Sequence, residues 1–173
     1  MKPISTAFIA FFMFIHLSQA KDMSLIKKIE GVYKKKFPNA LMTGEKYESE
    51  NILEIVPFEK DSAYLRFHLE FSNGHSCTLW GIAKEISGEL IYREPQPIIP
   101  DQPCILTLFI EGDSLKTKIN EVEHGCQAYC GNRGTLNAAR FKLNTRKPIR
   151  YLSRLKSSRE YKEAVEQPIQ TEC

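Results

Sequence analysis

The sequence predicts an α+β protein, built as an antiparallel bent sheet or small β-barrel of about six to seven strands with a helix at each end. Three observations predict this class. Apolar residues recur at three- and four-residue spacing near both ends of the chain, and they alternate with polar residues between positions 47 and 143. Short turn sequences separate the alternating segments, which is typical of antiparallel hairpins.

Length and charge exclude several protein classes. The chain has 173 residues, which suits one globular domain, placed here at 21–167. It carries 24 Lys and Arg against 21 Asp and Glu, for a net charge of +3. This balance excludes a strongly basic nucleic-acid binder and a highly charged disordered chain. Five cysteines are too few for a small disulfide knot.

The N-terminus has the pattern of a secretory signal peptide over residues 1–20. Lys2 is followed by an apolar run from Ala7 to Leu17, and Ser18-Gln19-Ala20 resembles a cleavage site. The apolar run is shorter than the ~20 residues that span a bilayer. We therefore expect a periplasmic or secreted protein without a transmembrane segment after cleavage.

A first helix is expected over residues 22–37. Ile26, Ile29, Tyr33 and Phe37 lie at helical spacing, and lysines occupy the other faces. Pro38-Asn39 would end the helix. The lysines are interpreted as a solvated face, with binding to an anionic surface as the alternative.

The sheet is expected over residues 47–143. Residues 63–71 alternate cleanly, and Asn73-Gly74 has the residues that a tight hairpin turn requires. Trp80 lies on the strand face opposite Cys77, either inside a barrel or beneath a terminal helix. The proline-rich residues 94–103 are interpreted as a loop, and residues 121–134 as irregular. A final helix is expected over 150–166 and a flexible tail over 168–173.

The cysteines of an exported protein are expected to form disulfides. The hairpin order places Cys77, Cys104, Cys126 and Cys130 near one end of the sheet. It favours the pairs Cys104–Cys126 and Cys77–Cys130, with Cys77–Cys104 and Cys126–Cys130 as the main alternative. Cys173 is left over, and could join two chains.

The chain lacks common catalytic signatures. It has no G-x-S-x-G, H-E-x-x-H or phosphate-binding glycine loop. His68 occupies an ordinary outward position on its strand. A zinc site at Cys126-x-x-x-Cys130 is disfavoured because thiolates are oxidised outside the cytoplasm. We therefore expect no metal, no cofactor and no enzyme activity.

Three sequence segments carry a resemblance to known proteins. They are Asn73-Gly74-His75-x-Cys77, Cys104-x-Leu106 and Cys126-x-x-Tyr129-Cys130-Gly131-x-Arg133-Gly134. They resemble small exported bacterial proteins with a disulfide-tied β domain, some of which are similar to periplasmic lysozyme inhibitors. The resemblance covers about residues 70–142. It implies inhibition of a hydrolase such as lysozyme, although the chain lacks the inhibitors' Ser-Gly-x-x-Tyr loop.

The expected function is binding of another protein in the envelope or the secreted space. Cysteine pairing would restrain the loop at 121–134, which lowers the entropy cost of binding. One alternative is a secreted hydrolase using His75 and His124. Another is an envelope structural or assembly protein that binds an anionic surface through the lysine-rich segment. The binding site is placed on four side chains of the restrained loop: His124, Tyr129, Asn132 and Arg133.

Overall fold

The computed structural model describes residues 24–120, 124–131 and 133–167, apart from the side chain of His124. The expected signal peptide, the expected tail and Cys173 lie outside these residues. The helices are α1 (Leu25–Ile29), α2 (Leu152–Lys156) and α3 (Arg159–Glu166), with short 3-10 helices at Ser72–Gly74, His124–Tyr129 and Leu143–Thr145. The strands are β1 (Gly31–Ala40), β2 (Lys46–Pro57), β3 (Ser62–Glu70), β4 (Ser76–Ile86), β5 (Glu89–Arg93), β6 (Ile105–Glu111), β7 (Ser114–Ile119) and β8 (Arg140–Lys142).

The eight strands form one antiparallel sheet in which each strand pairs with the next along the chain. Val32 at the start of β1 also forms an isolated antiparallel bridge with Lys147, just beyond β8. The sheet therefore curls into a nearly closed barrel. The expected bent antiparallel sheet is confirmed, but it has eight strands and not six or seven.

The additional strand, β1, lies where a helix was expected over 22–37. The described helix spans only Leu25–Ile29. Glu30 leaves the helical conformation with a ψ of 136°, and Gly31 follows with a φ of +139°. Tyr33 is fully buried at the start of β1, while the ion pairs of Lys34 with Glu50 and Lys36 with Glu48 join β1 to β2. Residues four apart share a face in a strand as well as in a helix, so the apolar spacing alone was ambiguous.

The barrel interior is filled by the alternating apolar side chains of the strands. Tyr33, Leu53, Phe67, Leu79 and Leu108 are all fully buried in this core. Helix α1 contributes three apolar side chains to the same core. Since large side chains occupy the interior, it is a packed core.

A second apolar core lies outside the barrel, between the sheet and the C-terminal helices. Val56, Tyr64 and Ile82 on the sheet pack in one cluster with Leu155 and Tyr161 from the helices. Trp80 is partly buried against this cluster, which decides its position: it lies with the helices and not in the barrel interior.

The final helix expected over 150–166 is divided in two. Ser158, in an extended conformation, separates α2 from α3, and its hydroxyl accepts a hydrogen bond from the Tyr161 amide at 3.2 Å. Serine competes for backbone donors in this way, and is therefore favoured at the start of a new helix.

Candidate functional site: a cationic groove at the barrel seam

Closure of the barrel brings distant parts of the chain together. The Val32 amide donates to the Lys147 carbonyl at 2.8 Å, and the Lys147 amide donates to the Val32 carbonyl at 2.9 Å. A Cβ atom on Gly31 would lie 2.7 Å from the Lys147 carbonyl oxygen. Only glycine permits this close approach, so Gly31 allows the segment after β8 to close the seam.

A groove with a volume of about 530 Å³ lies beside this seam. Six of its lining residues are apolar, and four exposed charged residues, three cations and one carboxylate, are termed its rim. The volume lies within the ~300–1,000 Å³ typical of small-molecule sites. The apolar lining residues are Ile55, Val56, Pro57, Pro148, Ile149 and Leu152; the charged ones are Lys27, Glu30, Arg146 and Lys147.

The rim cations are not neutralised by neighbouring carboxylates. Among the described residues, no carboxylate lies within ion-pair distance of Lys27, Arg146 or Lys147. Arg146 is held in place through Nη1, which donates to the Lys28 carbonyl at 2.5 Å. The groove therefore presents a net charge of +2, from three cations and Glu30.

The positive charge continues along the chain beyond the groove. Residues 146–156 contain five Lys and Arg and no acidic residue: Arg146, Lys147, Arg150, Arg154 and Lys156. All five are exposed. The overall charge of +3 thus conceals a local excess of positive charge in this segment, and such an excess favours anionic ligands.

The loop predicted as the binding site is restrained as expected. The structure pairs Cys77 with Cys130 and Cys104 with Cys126, which is the pairing favoured from the hairpin order. Gly134 packs so closely that a Cβ atom there would lie 2.7 Å from the Cys77 sulfur. The two disulfides are typical of proteins outside the reducing cytoplasm.

Tyr129 in this loop uses its hydroxyl within the protein. It donates to Glu94 at 2.6 Å and lies 3.4 Å from the Tyr92 hydroxyl. Burial and the neighbouring Tyr92 and Glu94 raise the pKa of Tyr129 far above its ordinary value. Glu94 is itself buried and also accepts from the Ile98 and Cys104 amides at 3.0 and 2.8 Å. This arrangement anchors the loop to the proline-rich segment.

The other predicted binding residues are not brought together into a described site. Arg133 is exposed. His124 begins a 3-10 helix, but its side chain and all of Asn132 lie outside the described residues. The tied loop as a binding surface stays a prediction.

The histidines occupy separate positions. His68 lies on the outer sheet face, where its Nε2 is 2.6 Å from Glu70 and its Nδ1 is 3.3 Å from the Thr78 hydroxyl. His75 packs beside Gly131 at the tied loop. The proposed acid–base pair of His75 with His124 stays a prediction because the His124 side chain is not described.

A buried carboxylate joins the outer sheet face to the C-terminal segment. Glu54 is 1% exposed and accepts hydrogen bonds from Arg66 and from the Tyr151 hydroxyl. The Glu54 hydrogen bond raises the pKa of Arg66, against partial burial. We assign this cluster a structural role, because it ties Tyr151, just before α2, to β2 and β3.

Two further kinds of site are absent from the described residues. None of their helices has both the length and the apolar character that a membrane crossing needs. In the same part of the chain, no three His, Cys, Asp or Glu residues form a group that could hold a metal ion.

Sequence patterns alone did not identify the groove. Its cations lie on α1 and on the segment after β8, more than a hundred residues apart in the chain. The available signal was the run of basic residues from 146 to 156 without an acidic residue.

Comparison with known proteins gives no relative from which a role could be transferred. No protein-family model matches the chain, and no match was found among curated proteins or solved structures. The functional conclusion therefore rests on the residues of this chain.

Proposed function

We propose that this protein is an exported, non-enzymatic binding protein that holds an anionic ligand in the cationic groove. The observation that carries the proposal is a groove whose lining joins six apolar residues to three exposed cations, none of which forms an ion pair with a carboxylate of the described residues. Exposed cations without partners are a common device for attracting anions, and an adjacent apolar surface adds affinity by excluding water.

Because side chains fill the barrel interior, we place the binding site on the outside of the protein. Large side chains such as Tyr33, Phe67 and Leu79 fill the core. A ligand held inside the barrel would have to displace these side chains, at the cost of their packing. The groove at the seam requires no such rearrangement.

Export is part of the proposal. The pattern of residues 1–20 and the two disulfides both support a periplasmic or secreted location. Oxidised cysteines would also keep the tied loop and the proline-rich segment in place in the absence of cytoplasmic chaperones.

The charge of the groove bears on the choice of partner. Lysozymes are typically basic, and two surfaces of the same charge repel. A cationic groove therefore favours an acidic partner over lysozyme. The same groove supports the alternative of binding to an anionic surface. In that case the contacts would come from the cations on α1 and on the segment after β8, and not from one long lysine-rich helix.

The proposal is tested by a thermal-shift screen of the oxidised mature chain, residues 21–173, against matched anionic and neutral compounds. We expect the stabilising compounds to be anionic. A Lys27→Gln/Arg146→Gln double variant should lose the response. Lys162→Gln, an exposed lysine on α3 outside the groove lining, should keep it. If the wild type, the double variant and Lys162→Gln were stabilised equally, the proposal would be overturned.

A further inference from the structure

We infer that the groove binds a single-chain anionic amphiphile: one alkyl chain that ends in a carboxylate or a phosphate. This inference rests on the proposed function and specifies its ligand class. It depends on the separation of charged and apolar residues within the groove, on their exposure and on the limited net charge of the rim.

The charged and apolar residues of the lining occupy successive positions. The cations lie on α1 and at Arg146 and Lys147, where the seam closes. The apolar residues lie at the end of β2 and at Pro148, Ile149 and Leu152, which follow the seam in the chain. A ligand that contacts both regions needs a charged head at the seam and an apolar body that extends away from it.

Part of the apolar lining remains accessible to a ligand: Ile55 and Val56 are buried in the two cores, but Pro148 is exposed. Leu152 is 38% exposed although it is a large hydrophobic residue at the start of α2, and Pro57 is exposed at the end of β2. Covering such side chains with an alkyl chain removes apolar surface from water on both partners. Each methylene that is fully buried would tighten binding by about fourfold.

The charge of the rim favours one head group over a polyanion. Glu30 lies among the three cations and limits the net charge of the lining to +2. A nucleic acid contacts many cations along its backbone, and its phosphates would meet this carboxylate. A single carboxylate or phosphate carries a charge that the net charge of +2 of this lining can balance.

The test measures binding by isothermal titration calorimetry, with the oxidised mature chain and ligands below their micelle concentrations. The probes are octanoate, decanoate and dodecanoate, dodecyl phosphate, inorganic phosphate, and monolauroylglycerol as the neutral chain. We expect affinity to rise by about two- to fourfold per methylene, because the groove is open on one side. Inorganic phosphate and monolauroylglycerol should bind at least tenfold more weakly than dodecyl phosphate. The inference is supported if affinity rises with chain length and if dodecanoate or dodecyl phosphate binds more tightly than monolauroylglycerol; the tighter of the two anions assigns the head group. Equal binding of monolauroylglycerol would overturn it.

Protein variants test the contacts of the charged head and of the alkyl chain separately. Lys147→Gln should weaken dodecanoate about tenfold, whereas Lys162→Gln should not change it. Leu152→Ser should reduce the gain per methylene, whereas Leu41→Ser, at an exposed leucine in the β1–β2 turn, should not.

Failure of the inference can be distinguished from failure of the proposed function. If inorganic phosphate binds as tightly as dodecyl phosphate and chain length has no effect, the amphiphile is excluded, but an anion-binding groove remains. If neither these anions nor those of the thermal-shift screen bind, both proposals are wrong.

Discussion

Replacement of Gly31 by alanine tests whether the seam of the barrel is built as described. A Cβ atom there would lie 2.7 Å from the Lys147 carbonyl oxygen and 3.1 Å from Cγ of Arg146. The carbonyl cannot withdraw easily, because it accepts the Val32 amide at 2.8 Å. The substitution must therefore strain the backbone, break the seam, or both.

The magnitude follows from two contributions. A φ of +139° is unfavourable for alanine, and such strain costs about 1–3 kcal/mol. Loss of the two hydrogen bonds between Val32 and Lys147 adds about 1–3 kcal/mol, at ~0.5–1.5 kcal/mol each. We expect Gly31→Ala to lower the free energy of unfolding by about 2–6 kcal/mol.

Gly44→Ala is the matched control. Gly44 also has a positive φ, +87°, but no atom lies within 4 Å of a Cβ built there. This substitution introduces strain without a collision, so we expect a loss of about 1–2 kcal/mol. Equilibrium urea unfolding of the oxidised proteins, read by far-ultraviolet circular dichroism, gives both values. Equal losses for the two variants would refute the reasoning, because the seam contact would then contribute nothing.

Three further predictions concern polar side chains that are partly or fully buried. Tyr129→Phe should lower the free energy of unfolding by about 1.5–3 kcal/mol, because the Tyr129 hydroxyl donates to the Glu94 carboxylate. Tyr64→Phe should be neutral or stabilising, since the Tyr64 hydroxyl is buried without a partner; a larger loss at Tyr64 than at Tyr129, measured by urea unfolding, would contradict both statements. Partial burial raises the pKa of Glu85, but hydrogen bonds from the Leu25 amide and neighbouring donors outweigh it, so that the pKa is lowered overall. Ionised Glu85 therefore stabilises the fold above the ordinary pKa of a glutamate, and this contribution is lost as the pH falls through the lowered value. The difference in unfolding free energy between wild type and Glu85→Gln should be present at pH 7 and shrink towards pH 3. A difference that stays constant over this pH range would contradict the prediction.

The sheet was predictable where the local pattern had one interpretation. Residues 63–71 alternate so regularly that β3 could be recognised directly, and it spans Ser62–Glu70. Asn73 and Gly74 have φ values of 59° and 72°, the conformation expected of their types in a tight turn. The hairpin order favoured the observed disulfide pairing over the alternative of Cys77–Cys104 with Cys126–Cys130, and the structure decides between them.

The N-terminal segment was not predictable from spacing alone. Tyr33 and Phe37 fit either a helix or a strand, and the choice depends on the pairing of β1 with β2 and on closure at Lys147. Tertiary contacts of this kind override local propensity. The short helix α1 remains because its apolar side chains enter the barrel core.

The groove was beyond sequence reasoning for a related reason. Its rim unites Lys27 with Arg146, and only the seam brings these residues together. The tied loop, by contrast, could be recognised from its cysteines, but Tyr129 binds Glu94 within the protein. A restrained loop is thus not by itself evidence of an exposed binding surface.

The most direct test of the binding account is a ¹H–¹⁵N correlation spectrum of the oxidised mature chain during titration with dodecanoate. We predict that the largest shift changes fall on the amides of Gly31, Ile149 and Leu152, around the groove. Changes confined to the tied loop, at Tyr129 and Arg133, would contradict the groove as the binding site and favour the loop.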